Sequence, residues 1–261
     1  MIFETVAITE FLKLHRARVH WFTLGALMMG PLGLALFMWI AMEPDRAATL
    51  GLLGTKAELT GIEATWASYS GFLVQIVGTG GMLLLAFIVA YVFGREYDEG
   101  TAKNLLALPV ARHWFVLAKF IVAGAWWLAI VVAMLAEAVV IGLALGLPGF
   151  SATVVVQTVG NALLAAGISY LLVPVVAWIT VWGRGFMAPL GFALGMLLLG
   201  NVFGSTGWAV WFPWSIVPLL VGSVGPAVSA LPAGSYIVVA LTFVAGVIGT
   251  IAQLRYADCA Q

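Results

Sequence analysis

An all-α, polytopic membrane protein with six transmembrane helices is the fold class this sequence predicts, and three observations carry it. The composition is 63% hydrophobic and 8% charged, against roughly 25% charged in an ordinary soluble domain. Six apolar runs, at 21–42, 68–93, 117–146, 154–182, 187–203 and 233–254, approach or exceed the roughly 20 residues that cross a bilayer. Lysine and arginine are distributed unequally between the connections. With the N-terminus in the cytoplasm, Lys13, Arg16, Arg18, Arg95, Lys103, Arg112, Lys119, Arg184 and Arg255 fall inside, and only Arg46 and Lys56 fall outside. That bias predicts both termini in the cytoplasm and a multi-pass protein of the inner, cytoplasmic cell membrane.

The first run is preceded by Lys13, His15, Arg16 and Arg18, with no convincing small-residue cleavage site after it, so it reads as a retained span. Residues 3–20 combine Phe3, Val6, Ile8, Phe11, Leu12 and Leu14 with a basic end. This suits an N-terminal helix lying on the cytoplasmic surface with its cations near anionic lipid; the wet start of the first span is the plainer alternative. Residues 43–66 form a mildly acidic external loop. Trp21, Trp39, Trp66, Trp114 and Trp182 lie at the ends of runs, where indoles favour the headgroup layer, whereas Trp126 and Trp127 lie deeper, as packing residues.

The third run contains Glu137, the one acid inside an apolar segment. It is a neutral hydrogen-bonded acid, a substrate contact, or a group lifted into a wet external vestibule by a long helix. Gln157 and Asn161, spaced by four, either line a polar route or bond to neighbouring helices. Residues 204–232 interleave Pro213, Pro218, Pro226 and Pro232 with Trp208, Trp211 and Trp214. Too broken for a span and too apolar for a loop, the segment predicts an external re-entrant or interfacial hairpin before the last helix. Spaced by three, its tryptophans would share one helical face. No linker divides the chain, so 1–261 reads as a single membrane domain.

Charge is concentrated at 94–116, between the second and third runs. Gly100 can end the preceding helix and Thr101 can cap a short one over 102–108, which Pro109 stops. Such a helix, with apolar Leu105, Leu106 and Leu108, either docks into a groove on a soluble partner or rests on lipid.

Here the chain resembles the permease subunit of ABC-2 type ATP-binding cassette transporters. The pattern is Glu96-Tyr97-Asp98-Glu99-Gly100-Thr101, Leu105-Leu106, Pro109-Val110-Ala111-Arg112 and Lys119, set between spans two and three. The resemblance extends to the plan of surface helix, six spans and hairpin. It implies a cytoplasmic coupling loop at 94–116 that meets a separate ATPase subunit through Glu96, Asp98, Glu99, Gly100, Thr101, Leu105, Leu106, Pro109 and Arg112. Arg184, in the turn Gly183-Arg184-Gly185, would be a smaller contact.

It also implies a second permease subunit, identical or different, and export of a drug, antimicrobial peptide or lipid-like substrate. The short form with small loops looks most like permeases exporting lantibiotics or bacitracin-like peptides. No GxxxxGK[ST] phosphate loop occurs, so no cofactor is expected on this chain, and ATP and Mg belong on the partner. No metal site and no nucleic-acid partner are expected. Two rivals remain. An intramembrane enzyme lacks paired catalytic groups, since His15, His20 and His113 form no ligand spacing. An ion- or proton-coupled secondary transporter or channel would rest on Glu137, with Gln157 and Asn161 as its possible pathway.

Overall fold

A computed structural model describes residues 2–43, 46, 49–51, 63–101, 110–228 and 230–256. Six of its helices are long and apolar enough to cross a membrane. A preceding helix, α1 (Ile2–Arg16), lies against the start of the third of them. The six are α2 (Val19–Met42), α3 (Trp66–Asp98), α4 (Arg112–Ala144), α5 (Ala152–Gly183), α6 (Met187–Gly204) and α8 (Ala233–Tyr256), with a short α7 (Pro213–Val221) before the last. Five of them enclose their predicted runs, while α4 starts before the run at 117–146 and ends two residues short of it, at Ala144. Helical hydrogen bonding continues through the charged residues at the ends; hydropathy stops at them.

Local chemistry sets the ends. Thr65 and Ser151 sit in extended backbone, and their hydroxyls accept from the amides of Ser68 and Val154, satisfying donors the helix leaves unpaired. Gly100, with φ +67, follows α3 in the left-handed region that glycine enters without a Cβ penalty. After α5 that place is taken by Arg184, the one described non-glycine residue at positive φ.

Length decides what each helix can do. At 33, 33 and 32 residues, α3, α4 and α5 are each about 50 Å long, against a hydrocarbon layer of about 30 Å. A tilt of 40°, the upper end of the usual range, still projects them over about 38 Å. Their upper ends therefore stand clear of the apolar layer and build a protein surface of their own. There Trp66 is only 3% exposed. Its amide donates to the Pro148 carbonyl at 3.0 Å, and its ring lies against Tyr69 and Phe150. The headgroup role expected of Trp66 is corrected: the turn after α4 folds over it. Trp21, Trp114 and Trp182 are exposed as expected, while Trp126 and Trp127 donate to the Thr23 hydroxyl and the Ala166 carbonyl.

Between Ile76 and Gly80, α3 makes one π-helical turn. Two of the contacts around it involve α7. A Cβ on Gly78 would lie 2.5 Å from Val221 Cγ1, and Gln75 Nε2 donates to the Gly222 carbonyl at 3.3 Å. Counted along α3 from Glu96, Gln75 and Gly78 are about 27–31 Å away. The end of α7 is thus seated far along α3 from the charged end, about a hydrocarbon thickness away. The 204–232 segment contains a 3-10 turn, Ala209–Trp211, and then α7, separated by the extended residue Phe212. Trp208, Trp211 and Trp214 consequently do not share one helical face, because Pro213 starts a new helix between them. Trp208 and Trp211 are exposed, and Trp214 packs on Phe192 and Phe212.

The last helix is held by α5. A Cβ at Gly246 would lie 2.6 Å from main-chain atoms of Pro174 and Val175, and Thr250 Oγ1 donates to the Pro174 carbonyl at 3.3 Å. Backbone cannot rotate aside as a side chain can, so Gly246→Ala should force the helices apart. Overpacking of this kind costs about 1–3 kcal/mol. A lower thermal midpoint in detergent is expected for Gly246→Ala and not for Gly25→Ala, where nothing lies within 4 Å of the added methyl. Equal midpoints for the two variants would refute close backbone approach here.

Candidate functional site at the charged end

Opposite the hairpin, the bundle ends in a buried ion cluster. Helix α1 turns Val6, Glu10 and Leu14, one residue every turn, toward the protein, and leaves Ile8, Phe11 and Leu12 outside. Glu10 thereby enters an apolar stripe, where a carboxylate must be paired. Its partner is Lys119, likewise buried between Ala118 and Phe120 in the first turns of α4. Lys119 Nζ donates to Glu10 Oε2 at 2.9 Å, Glu96 Oε1 at 2.7 Å and the Val92 carbonyl at 2.7 Å, which uses all three of its protons. Lys13 Nζ completes the ring, 2.6 Å from Glu10 Oε1 and 3.2 Å from Glu96 Oε1.

Two carboxylates and two ammonium groups cancel, so no net charge is buried. Burial disfavours the charge on Glu10, yet Lys119 and Lys13 outweigh it and hold its carboxyl below the ordinary 4.5. Burial likewise opposes the charge on Lys13, and Glu10 and Glu96 outweigh it, raising the ammonium above the ordinary 10.5. Glu10 contributes stability that is complete above pH 4.5 and is lost as pH falls through its folded-state value. Lys13 contributes stability complete below pH 10.5 and lost as pH rises through its own. Both of these charges are therefore kept across the neutral range.

Around this ring the structure sorts the residues of the charged loop. Glu96, expected as an outward contact, is 6% exposed and belongs to the cluster; two ammonium groups hold it inward. Arg112, also expected outward, donates from Nη1 to the carbonyls of Leu254 and Arg255 and so caps α8. Asp98, Glu99, Gly100 and Thr101 are exposed, with Glu99 paired to Arg95 at 2.7 Å. Thr101 Oγ1 donates back to the Glu96 carbonyl at 3.5 Å. Leu105, Leu106 and Pro109 lie outside the described residues. Arg184 is exposed on its left-handed turn, and that turn comes to the same end of the bundle, since Phe186 stacks on Tyr91 at 6.3 Å.

The possible pathway residues are elsewhere. Glu137 stands about 27 Å along α4 from Lys119, toward the opposite end of the helix. Its Oε2 is buried with no hydrogen-bond partner. Gln157 and Asn161 are exposed on the upper part of α5, not bonded into a helix interface within the chain. The structure therefore does not gather Glu137, Gln157 and Asn161 into a chain of ionisable groups through the middle of the bundle. Among the described residues no His, Cys, Asp and Glu group could hold a metal ion.

Sequence reasoning missed Glu10. The available signal was its place between Val6 and Leu14 at a spacing of four, an acid on a stripe that buries its neighbours, together with a lysine entering an apolar span at 119.

The sequence pattern of the ABC-2 family transporter proteins matches residues 7–200. The chain belongs to the ABC-2 transporter family. It is 26% identical over 192 residues to the bacitracin transport permease protein BCRB of Bacillus licheniformis, across 73% of this chain and 91% of that relative. No solved structure matches it. The matched region of this ABC-2 permease takes in every residue of the ion cluster and the α5–α6 turn, while the hairpin and last span lie beyond it.

Because the ring closes only when all four charges are present, loss of one leaves another buried without compensation. Lys119→Met should destabilise the permease by about 3–5 kcal/mol, read as a lower thermal midpoint in detergent. Adding Glu10→Gln should recover part of the loss, since Glu96 keeps Lys13. An unchanged midpoint for Lys119→Met would mean the cluster does not hold the fold.

Proposed function

We propose that this chain is the membrane permease of an ABC-type exporter, driven by an ATPase on a separate polypeptide that docks on the cytoplasmic loop at 94–116. The observation that carries this reading is the attachment of both roots of that loop. Helix α3 enters it through Glu96 and α4 leaves it toward Lys119, and both residues share one cluster with α1. A push on the loop is then delivered to three helices together instead of being absorbed by a floppy connection. The exposed acids Asp98 and Glu99 and the neighbouring turn at Arg184 offer polar contacts around the docking point, with Leu105 and Leu106 as its apolar knobs. The family and the BCRB relative favour export of an antimicrobial peptide, drug or lipid-like molecule by a pair of permeases, identical or different.

The alternative of a proton-coupled carrier is supported only by Glu137, which stands near the outer edge instead of at mid-span. In the exporter reading it faces an external vestibule raised by the long helices.

If the knobs dock, Leu105→Ser with Leu106→Ser should leave membrane insertion normal and abolish recovery of the ATPase in a pull-down. Burial of each leucine is worth roughly 1.5–3 kcal/mol, so losing two weakens association by orders of magnitude. Full ATPase recovery with full transport would leave the loop without this job.

Orientation is tested independently. In a Cys259→Ser background, Thr101→Cys should label from the cytoplasm and Thr206→Cys from outside. Labelling of both from one side would overturn the arrangement.

A further inference from the structure

Between α1 and the lower end of α3 lies a crevice of about 370 Å³. Lys13, Arg16 and Arg95 line it together with Tyr91, Thr9 and Leu12, and no acidic side chain does. Glu10, Glu96 and Glu99 hold the amino and guanidinium groups from behind and do not line the crevice. Even so, the side chain of Lys13 remains 32% exposed and that of Arg95 28%. Arg16 is exposed and adds a third cation.

We infer that this crevice binds the phosphate headgroup of an anionic phospholipid. A guanidinium fork matches phosphate oxygens in a way an ammonium group does not, and basic pockets beside membrane helices on the cytoplasmic side are suited to anionic headgroups. The surroundings select a lipid over a free phosphate. One turn above Tyr91 on α3, Phe87 packs on Phe22 of α2 at 5.9 Å. Phe22 and Trp21 are 64% and 69% exposed, and Leu12 and Phe11 are exposed on α1. A polar crevice that opens onto continuous apolar surface accommodates both halves of an amphiphile, whereas a soluble anion uses only the first. The bound headgroup would neutralise the cationic surplus next to the ion ring and join α1 to α3 from the lipid side. Only the naming of the leaflet rests on the orientation proposed above; headgroup binding does not, and the labelling experiment tests that orientation by itself.

The test uses the full chain in nanodiscs of phosphatidylcholine containing a minority of phosphatidylglycerol, released into mild detergent and weighed by native mass spectrometry. The expected result is one phosphatidylglycerol retained per chain, lost in Arg16→Gln and only partly retained in Arg16→Lys, which keeps the charge but not the fork. Arg18→Gln, which removes a nearby exposed charge outside the crevice, should retain it. Equal loss in Arg16→Gln and Arg18→Gln would reduce the effect to diffuse attraction and overturn the site. So would equal retention in wild type and Arg16→Gln. Retention of added inorganic phosphate or glycerol phosphate by protein that shows no preference for phosphatidylglycerol would overturn the lipid assignment.

Discussion

Lys119 is a charge placed where a charge cannot stand alone, and the shape of the inner end of the bundle follows from how it is compensated. Its ammonium group needs acceptors on three sides. The chain supplies one from α1, one from the α3 side chain at Glu96 and one from the α3 backbone at Val92. Pairing of this kind sets relative height as well as proximity, because a shift of α3 along α4 by one turn, about 5.4 Å, breaks both contacts of Lys119 with α3 at once. Apolar packing alone tolerates sliding; four interlocked charges do not. The cluster thus acts as a common zero from which the heights of the other features are measured.

From that level, the far edge of a hydrocarbon-thick layer falls near Gln75 on α3 and just past Glu137 on α4. What lies above is governed by protein packing instead of by lipid. Trp66 is buried there against Tyr69 and Phe150. Trp208 and Trp211 are exposed at this end of the bundle, and Trp21 and Trp182 at the other.

Nearly all of the span architecture was legible from the amino-acid sequence, because bilayer solvation acts on each run independently of the others. The elements that were not legible all depend on a partner distant in the chain. Glu96 looks like any acid of a charged loop until Lys119 and Lys13 are placed against it. Arg112 reads as a basic residue before a span, and its work as a cap for α8 depends on where the last helix ends. Trp66 has the position of an interfacial indole, and only the helix lengths and the close fit to Gly142 remove it from the interface. The hairpin was legible as irregular, since proline spacing is local, but its seat on Gly78 was not. Of the described residues of the charged loop, Asp98 to Thr101 are exposed, whereas Glu96 and Arg112 are drawn into pairings within the bundle.

A π turn takes one more residue than the α turn it replaces, so residues on either side of Ile76–Gly80 are out of phase by about 100°. The two halves of α3 therefore keep separate helical phases. The half before the turn aims Trp66 and Tyr69 at α4 and Gln75 at the end of α7, and the half after it aims Glu96 at Lys119. A joint that absorbs one residue uncouples these aims, and the half before the turn can be recut without turning Glu96 away from its lysine. Across a family of membrane transporters, such a span is two modules threaded on a single helix, and the joint between them is where divergence costs least.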